Sequence, residues 1–84
     1  MRKQAERWEV RKFTTSFDHK PTGDEEVLCN TFLSYETACF WTKGYMASLW
    51  EHAGWGKSNR AEDTLIDPER RRLHVFTVRK CEEN

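Results

Sequence analysis

The chain has 84 residues, which is the size of a single domain. Its 14 Lys and Arg residues balance its 14 Asp and Glu residues, so no net charge draws the protein as a whole to nucleic acid or to anionic lipid. With 37% hydrophobic and 13% aromatic residues, the chain is expected to fold, whereas disordered chains hold few aromatic residues.

Membrane spans and targeting signals are not evident in the sequence. No run of about 18 apolar residues is present, and the N-terminal stretch Met-Arg-Lys-Gln-Ala-Glu-Arg lacks the apolar core of a secretion signal. The three cysteines, Cys29, Cys39 and Cys81, are odd in number, so at least one thiol stays unpaired. Together these features predict a cytoplasmic protein with reduced cysteines and no membrane partner.

Two strands are predicted in the N-terminal half, after a loose segment at 1–6. The first is expected over 7–17, where aromatic and β-branched residues are frequent. Trp8 and Val10 share one parity and Phe13 has the other, so either both faces of this strand are covered or a bulge near 11–12 resets the register. A turn at 18–25 and a second strand over 26–33 would complete a hairpin.

A helix is predicted over 35–53. Ser34 is a suitable N-cap because its hydroxyl can accept a bond from a free backbone N–H, and Glu36 would favour the positive end of the helix dipole. Gly54 is expected to end the helix, because glycine adopts the left-handed cap without steric cost.

The predicted helix has one apolar face, which would pack on the sheet. Its members are Tyr35, Ala38, Cys39, Thr42, Tyr45, Met46, Leu49, Trp50 and Ala53. Phe40 lies on the opposite side of the helix, where the neighbouring side chains are small. Trp41 lies on the border of the two faces.

Two further strands are predicted over 63–66 and 72–80, joined by a turn that begins Asp67-Pro68. Apolar residues alternate on both faces of the last strand, which places it in the centre of the sheet. The predicted fold is therefore a single α+β domain over 1–84. It has a four-stranded, mostly antiparallel sheet with one long helix packed on one face, in the order ββαββ.

Catalytic and metal-binding motifs are weak. A zinc site from Cys29, Cys39 and His52 has no supporting spacing, and these cysteines are more simply small buried hydrophobic residues. The segment Gly56-Lys57-Ser58 follows a helix, whereas a phosphate-binding loop leads from a strand into one. We therefore expect no catalytic residues, no metal, no cofactor and no small-molecule substrate.

The clearest polar feature is a run of three arginines beside the second hairpin turn, Arg70, Arg71 and Arg72. With Lys57 and Arg60 from the preceding loop, they would form a basic patch suited to phosphate or carboxylate groups. The alternative is a solvated turn in which Asp67 and Glu69 balance the arginines.

The clearest apolar feature is a set of aromatic residues outside the predicted core face, Phe40, Trp41 and Trp55. A cluster of exposed aromatic side chains is typical of an interaction surface. The alternative is that a loop or the N-terminal segment folds over this side of the helix.

These features favour a small non-enzymatic protein-binding module, with a partner protein or a second copy of the chain as a homodimer. Phe40, Trp41 and Trp55 would anchor the partner, with the arginine run beside them. In size and layout the chain resembles the small accessory proteins, such as anti-CRISPR inhibitors, with which phages and mobile elements block host machinery. The resemblance implies an inhibitor of a host complex. The alternative function is single-stranded nucleic-acid binding, in which aromatic rings stack on bases and the arginines contact phosphates.

Overall fold

The computed structural model describes residues 6–58 and 61–81, with Asp24 described by its backbone alone. Residues 1–5 of the segment expected to be loose, and Arg60 of the expected basic patch, lie outside this part of the chain. The elements in chain order are β1 (Trp8–Ser16), β2 (Pro21–Phe32), α1 (Tyr35–His52), β3 (Gly56–Lys57), β4 (Thr64–Asp67) and β5 (Arg72–Lys80).

The strands form one antiparallel sheet in the order β2-β1-β5-β4-β3, and the helix packs on one of its faces. The α+β class is confirmed. The expectation of four strands is wrong, because the described residues form five. The additional strand is β3, in which Gly56 pairs with Ile66 and Lys57 with Leu65. β5 lies in the middle of the sheet, as the apolar residues on both of its faces indicated.

The N-terminal hairpin differs from its prediction. β2 begins at Pro21, so the chain turns within 17–20 and the predicted turn at 18–25 is wrong. β2 lies at the edge of the sheet, where proline, glycine and charged residues are tolerated because one side of the strand faces solvent. β1 pairs with β5 without interruption, whereas its register against β2 shifts between Trp8 and Val10, Val10 and Arg11, and Phe13 and Thr15. Both faces of β1 are partly covered, since Glu9 and Val10, which are neighbours, are both buried. A register shift between Val10 and Arg11, close to the predicted bulge, is present as well, on the side of the edge strand β2.

The helix follows its capping signals. The Ser34 hydroxyl accepts a hydrogen bond from the backbone N–H of Thr37 at 3.2 Å. The helix ends at His52, one residue before the predicted end, and the N–H of Ala53 bonds to the carbonyl of Leu49. Gly54 then takes a φ of 76°, the left-handed conformation expected of it.

The core lies between the sheet and the helix, where Val10 and Ala38 are fully buried and Leu65 and Phe76 are 1% and 3% exposed. The ring of Tyr45 meets that of Phe76 edge-on, with centroids 6.1 Å apart. The expectation that Tyr35, Trp50 and Ala53 belong to the core is wrong. Tyr35 is 49% and Trp50 is 44% exposed, and Ala53 is exposed just after the end of the helix. The buried helix residues, Ala38 and Thr42, belong to its first half, so the last turn extends beyond the tightly packed part.

The other face of the sheet is covered by no helix within the described residues. One end of this face carries a row of charges in which Glu9 accepts from Arg11 at 2.8 Å and from Arg79 at 2.9 Å. Arg11 also bonds to Glu25 at 2.9 Å, so the row crosses β5, β1 and β2. Glu9 is only 6% exposed, which makes it the buried centre of this row.

Two candidate binding surfaces

The first candidate surface is a groove between α1 and the end of β2, called here the aromatic groove. It has a volume of about 430 Å³ and is lined by Phe32, Thr37, Phe40, Trp41, Gly44 and Tyr45. The indole of Trp41 stacks on the ring of Tyr45, with centroids 5.0 Å apart and planes at 8°, and packs against Phe32 at 5.5 Å. These contacts fix the orientation of the rings before any partner arrives.

Phe40 is the exposed member of the aromatic groove. It is 82% exposed, because it lies on the side of α1 that faces away from the sheet, as predicted. A Cβ atom added at Gly44, one turn later, would meet nothing within 4 Å, so the surface next to Phe40 is open. Trp41 is only half-buried, and its predicted position on the border of the core is confirmed by its ring contacts.

Trp55, the third predicted anchor, belongs to a different surface. Its indole stacks on the imidazole of His74, with centroids 4.1 Å apart and planes at 12°. It has no ring contact with Phe40 or Trp41 among the described residues. The predicted set of anchors is thus divided between two places on the molecule.

The second candidate surface, called here the basic cleft, lies on the helix-covered side of the sheet, beyond the part that the helix covers. Its volume is about 870 Å³. The residues that line it are Lys12, Thr14, Gly23, Glu25, Glu26, Trp55, Arg70, Arg72 and His74. The regular pairing of Thr14 with His74 and of Lys12 with Phe76 places these side chains on the face that also carries Val10.

Two of the three predicted arginines line the basic cleft. The Arg70 guanidinium bonds to Asp67 at 3.1 Å through one nitrogen, and its side chain is 71% exposed. Arg72 donates through Nη1 to the carbonyls of Arg70 and Arg71. Arg71 does not line the cleft, because its guanidinium lies over the ring of Phe17 at 5.3 Å.

A buried polar cluster supports the floor of the cleft. The Thr14 hydroxyl lies 3.4 Å from Nδ1 of His74, and Nε2 of His74 lies 3.6 Å from Asp67, too far for a hydrogen bond. Burial and the charge of Lys12 lower the pKa of His74, although Asp67 acts to raise it. His74 is therefore neutral at neutral pH.

Asp67 is charged within this cluster. Burial acts to raise its pKa, but hydrogen bonds from the backbone N–H and the guanidinium of Arg70 outweigh that effect, so the pKa of Asp67 lies below its ordinary value. The line from Thr14 through His74 to Asp67 superficially suggests an activated hydroxyl. Thr14 is only 7% exposed and its contact with the imidazole is long, whereas a nucleophile needs access and a close base.

Sequence reasoning missed the parts of the cleft contributed by the strands. Lys12 and Thr14 share their parity with Val10, and His74 shares its parity with Phe76, so strand alternation contains the signal. The missing information was the pairing of β1 with β5, which brings the two sets together. Glu25 was predicted in a turn and Glu26 at the beginning of a strand, so neither was expected to line a binding surface.

The structure does not support a metal site or a disulfide among the described residues. Cys29, Cys39 and Cys81 are free thiols, and the described residues contain no group of His, Cys, Asp and Glu side chains that could hold a metal ion. Within the same residues, no helix has the length and the apolar composition needed to cross a membrane. No protein-family model, no curated protein and no solved structure matches this chain.

Proposed function

We propose that the protein is a non-enzymatic binding module that captures a partner protein through the aromatic groove. The observation that carries the proposal is the position of Phe40, which is 82% exposed beside rings that are already packed in place. The Phe40 side chain is thus packed against little of the fold, and its burial against a partner would be favourable.

The aromatic groove has the composition of an interface centre. Aromatic residues carry most of the binding energy at such centres, and rings whose orientation is fixed lose little conformational entropy on binding. The open surface next to Gly44 would let a partner side chain or backbone approach Phe40 closely. The partner is therefore expected to present an apolar side chain, with a second copy of this chain as one such partner. The resemblance to accessory inhibitors would make the captured protein a subunit of a host complex.

The proposal is tested with Phe40→Asp. Because Phe40 is exposed, the substitution should cost less than about 1 kcal/mol of unfolding free energy and leave the helix formed, as read by circular dichroism. Loss of a central aromatic residue at an interface costs about 2 kcal/mol or more, so affinity for the partner should fall about 30-fold.

The matched control is Leu33→Asp. Leu33 is 73% exposed, just before the helix, and does not line the groove. Affinity capture with mass spectrometry should find one protein that the wild type and Leu33→Asp retain and that Phe40→Asp loses, and the purified pair should reproduce the difference. Sedimentation of the chain alone identifies a homodimer in the same way. A Phe40→Asp variant with unchanged capture and unchanged self-association would refute the proposal.

A further inference from the structure

The basic cleft contains a flat platform that the protein-binding proposal does not use. Trp55 is held in place by its stack on His74, and Nζ of Lys12 lies over the same indole, 5.8 Å from its centroid. The indole is half-buried, so part of it remains open to the cleft. Gly23 adds no side chain to the lining, and Thr14 adds a small one. A platform of this kind can stack with any planar aromatic group, and nucleobases are such groups.

The cations beside this platform keep free donors. A guanidinium has five N–H donors, and the side-chain hydrogen bonds of Arg70 and of Arg72 each use only one terminal nitrogen, Nη1. Arg70 is in addition fixed by its bonds to Asp67, through its backbone N–H and its guanidinium. Two pre-positioned guanidinium groups favour a phosphate, which they can bind through paired hydrogen bonds.

The Glu26 carboxylate lies at the other end of the cleft, whereas the Glu25 carboxylate bonds to Arg11 on the opposite face of the sheet. Arg72 pairs with Ser16, whereas Glu26 pairs with Lys12, four residues earlier on β1, so the two backbone positions are about 13 Å apart along the strands. Glu26 is bonded to Lys12 at 2.9 Å. A phosphate at the arginine end would therefore lie away from the Glu26 carboxylate, which could accept an N–H group of a base.

We propose that the basic cleft binds a nucleotide, whose base packs against Trp55 and whose phosphate contacts Arg70 and Arg72. The ligand is a free nucleotide or one unit of a single strand, since both present a planar base and a phosphate. This site does not depend on the aromatic groove, with which it shares no lining residue.

The experiment follows the indole N–H signals of the intact protein by NMR during titration with AMP, adenosine, inorganic phosphate and a single-stranded oligoadenylate. The signals are assigned with single Trp→Leu variants. AMP should shift the Trp55 signal saturably, and adenosine and phosphate should each bind at least tenfold more weakly, because each makes half of the contacts. Trp55→Leu should lose about tenfold or more in AMP affinity, whereas the control Trp50→Leu, exposed and outside the cleft, should not.

A second variant, Arg72→Gln, tests the site in case Trp55→Leu fails to fold. Arg72→Gln leaves the stack of Trp55 on His74 in place and should weaken AMP, with a smaller effect of added salt than in the wild type. An oligonucleotide that binds tenfold tighter than AMP identifies a single strand as the ligand, and equal affinity identifies a free nucleotide. The proposal is overturned if no probe shifts the Trp55 signal at millimolar concentration, if phosphate binds as tightly as AMP, or if Trp55→Leu binds AMP like the wild type. Phe40→Asp should bind AMP normally, so failure here is distinct from failure of the protein-binding proposal.

Discussion

The buried carboxylate of Glu9 is the most direct test of the electrostatics of this fold. One oxygen, Oε1, accepts from Nε of Arg11 at 2.8 Å and from Nε of Arg79 at 2.9 Å. Burial acts to raise the pKa of Glu9, but the two arginines outweigh it, so the pKa lies below its ordinary value. The charged form of Glu9 is thus held more tightly in the folded protein than in the unfolded chain.

Glu9→Gln keeps the shape of the side chain and removes its charge. A hydrogen bond to a charged group contributes about 1.5–3 kcal/mol and a neutral one about 0.5–1.5 kcal/mol, so each of the two bonds should weaken by about 1 kcal/mol. The side chain of Arg79 is 50% exposed, and solvent screens its share. The expected loss of unfolding free energy is therefore about 1–2 kcal/mol, which lowers the melting temperature by about 5–15 °C in a domain of this size.

The stability difference between the wild type and Glu9→Gln should depend on pH. Because the pKa of Glu9 is depressed in the folded state, its stabilisation is present above the unfolded value of about 4.3 and disappears as the pH falls through the folded value. Urea unfolding of both proteins should therefore show the full difference at neutral pH and a shrinking difference below about pH 4. The other carboxylates titrate in both proteins and cancel.

Glu25→Gln is the matched control, since Glu25 also bonds to Arg11 but its side chain is 52% exposed. Its effect should stay below about 0.5 kcal/mol. The reasoning is refuted if Glu9→Gln is as stable as the wild type at neutral pH, or if its deficit persists unchanged in acid.

Two further predictions concern the packing and the start of the helix. Leu65→Ala should cost about 2–5 kcal/mol of unfolding free energy, because Leu65 is a core residue only 1% exposed. The urea midpoint should fall with an unchanged slope, and a loss below about 1 kcal/mol would contradict this packing. Ser34→Ala should lower the unfolding free energy by about 1 kcal/mol, because it removes the acceptor for the N–H of Thr37. Ser48→Ala, on the exposed side of the same helix, should leave the unfolding free energy unchanged. Equal effects of the two substitutions in thermal unfolding would argue against the cap.

The parts of the fold with strong local signals were predictable from the sequence. The helix is bounded by Ser34 and Gly54, each of which has a specific stereochemical role at a helix end. The last strand was predicted with its observed bounds, because apolar residues alternate on both of its faces and a turn precedes it. Such signals act within a few residues and need no knowledge of the partner strands.

The parts that depend on position in the sheet were not predictable in the same way. β3 has two residues, one of them glycine, and exists because Ile66 and Leu65 lie beside it. The first half of β2 looks like a loop because an edge strand tolerates Pro21 and Gly23. In both cases the neighbouring strand decides the structure, and a single sequence does not show which strand that is.

The same reasoning explains why the candidate site was predicted only in part. The exposed position of Phe40 follows from the helical wheel, because it depends on one element. The basic cleft depends on three separate parts of the chain, since Lys12 comes from β1, His74 from β5 and Trp55 from the loop after the helix. The sequence indicates Trp55 as an aromatic residue outside the core face, but it does not indicate that Trp55 stacks on His74.

The two surfaces have a common origin in the shape of the molecule. The helix reaches the sheet at Phe76, which pairs with Lys12, and the next pair along the strands on the same face, Thr14 with His74, lies beyond it. The indole of Trp55 covers part of this region by stacking on His74. The helix thus leaves Phe40 exposed on its outer side and leaves the cleft open beyond its packed part. Because the two surfaces share no lining residue, Phe40→Asp should affect only the protein partner and Arg72→Gln only the nucleotide.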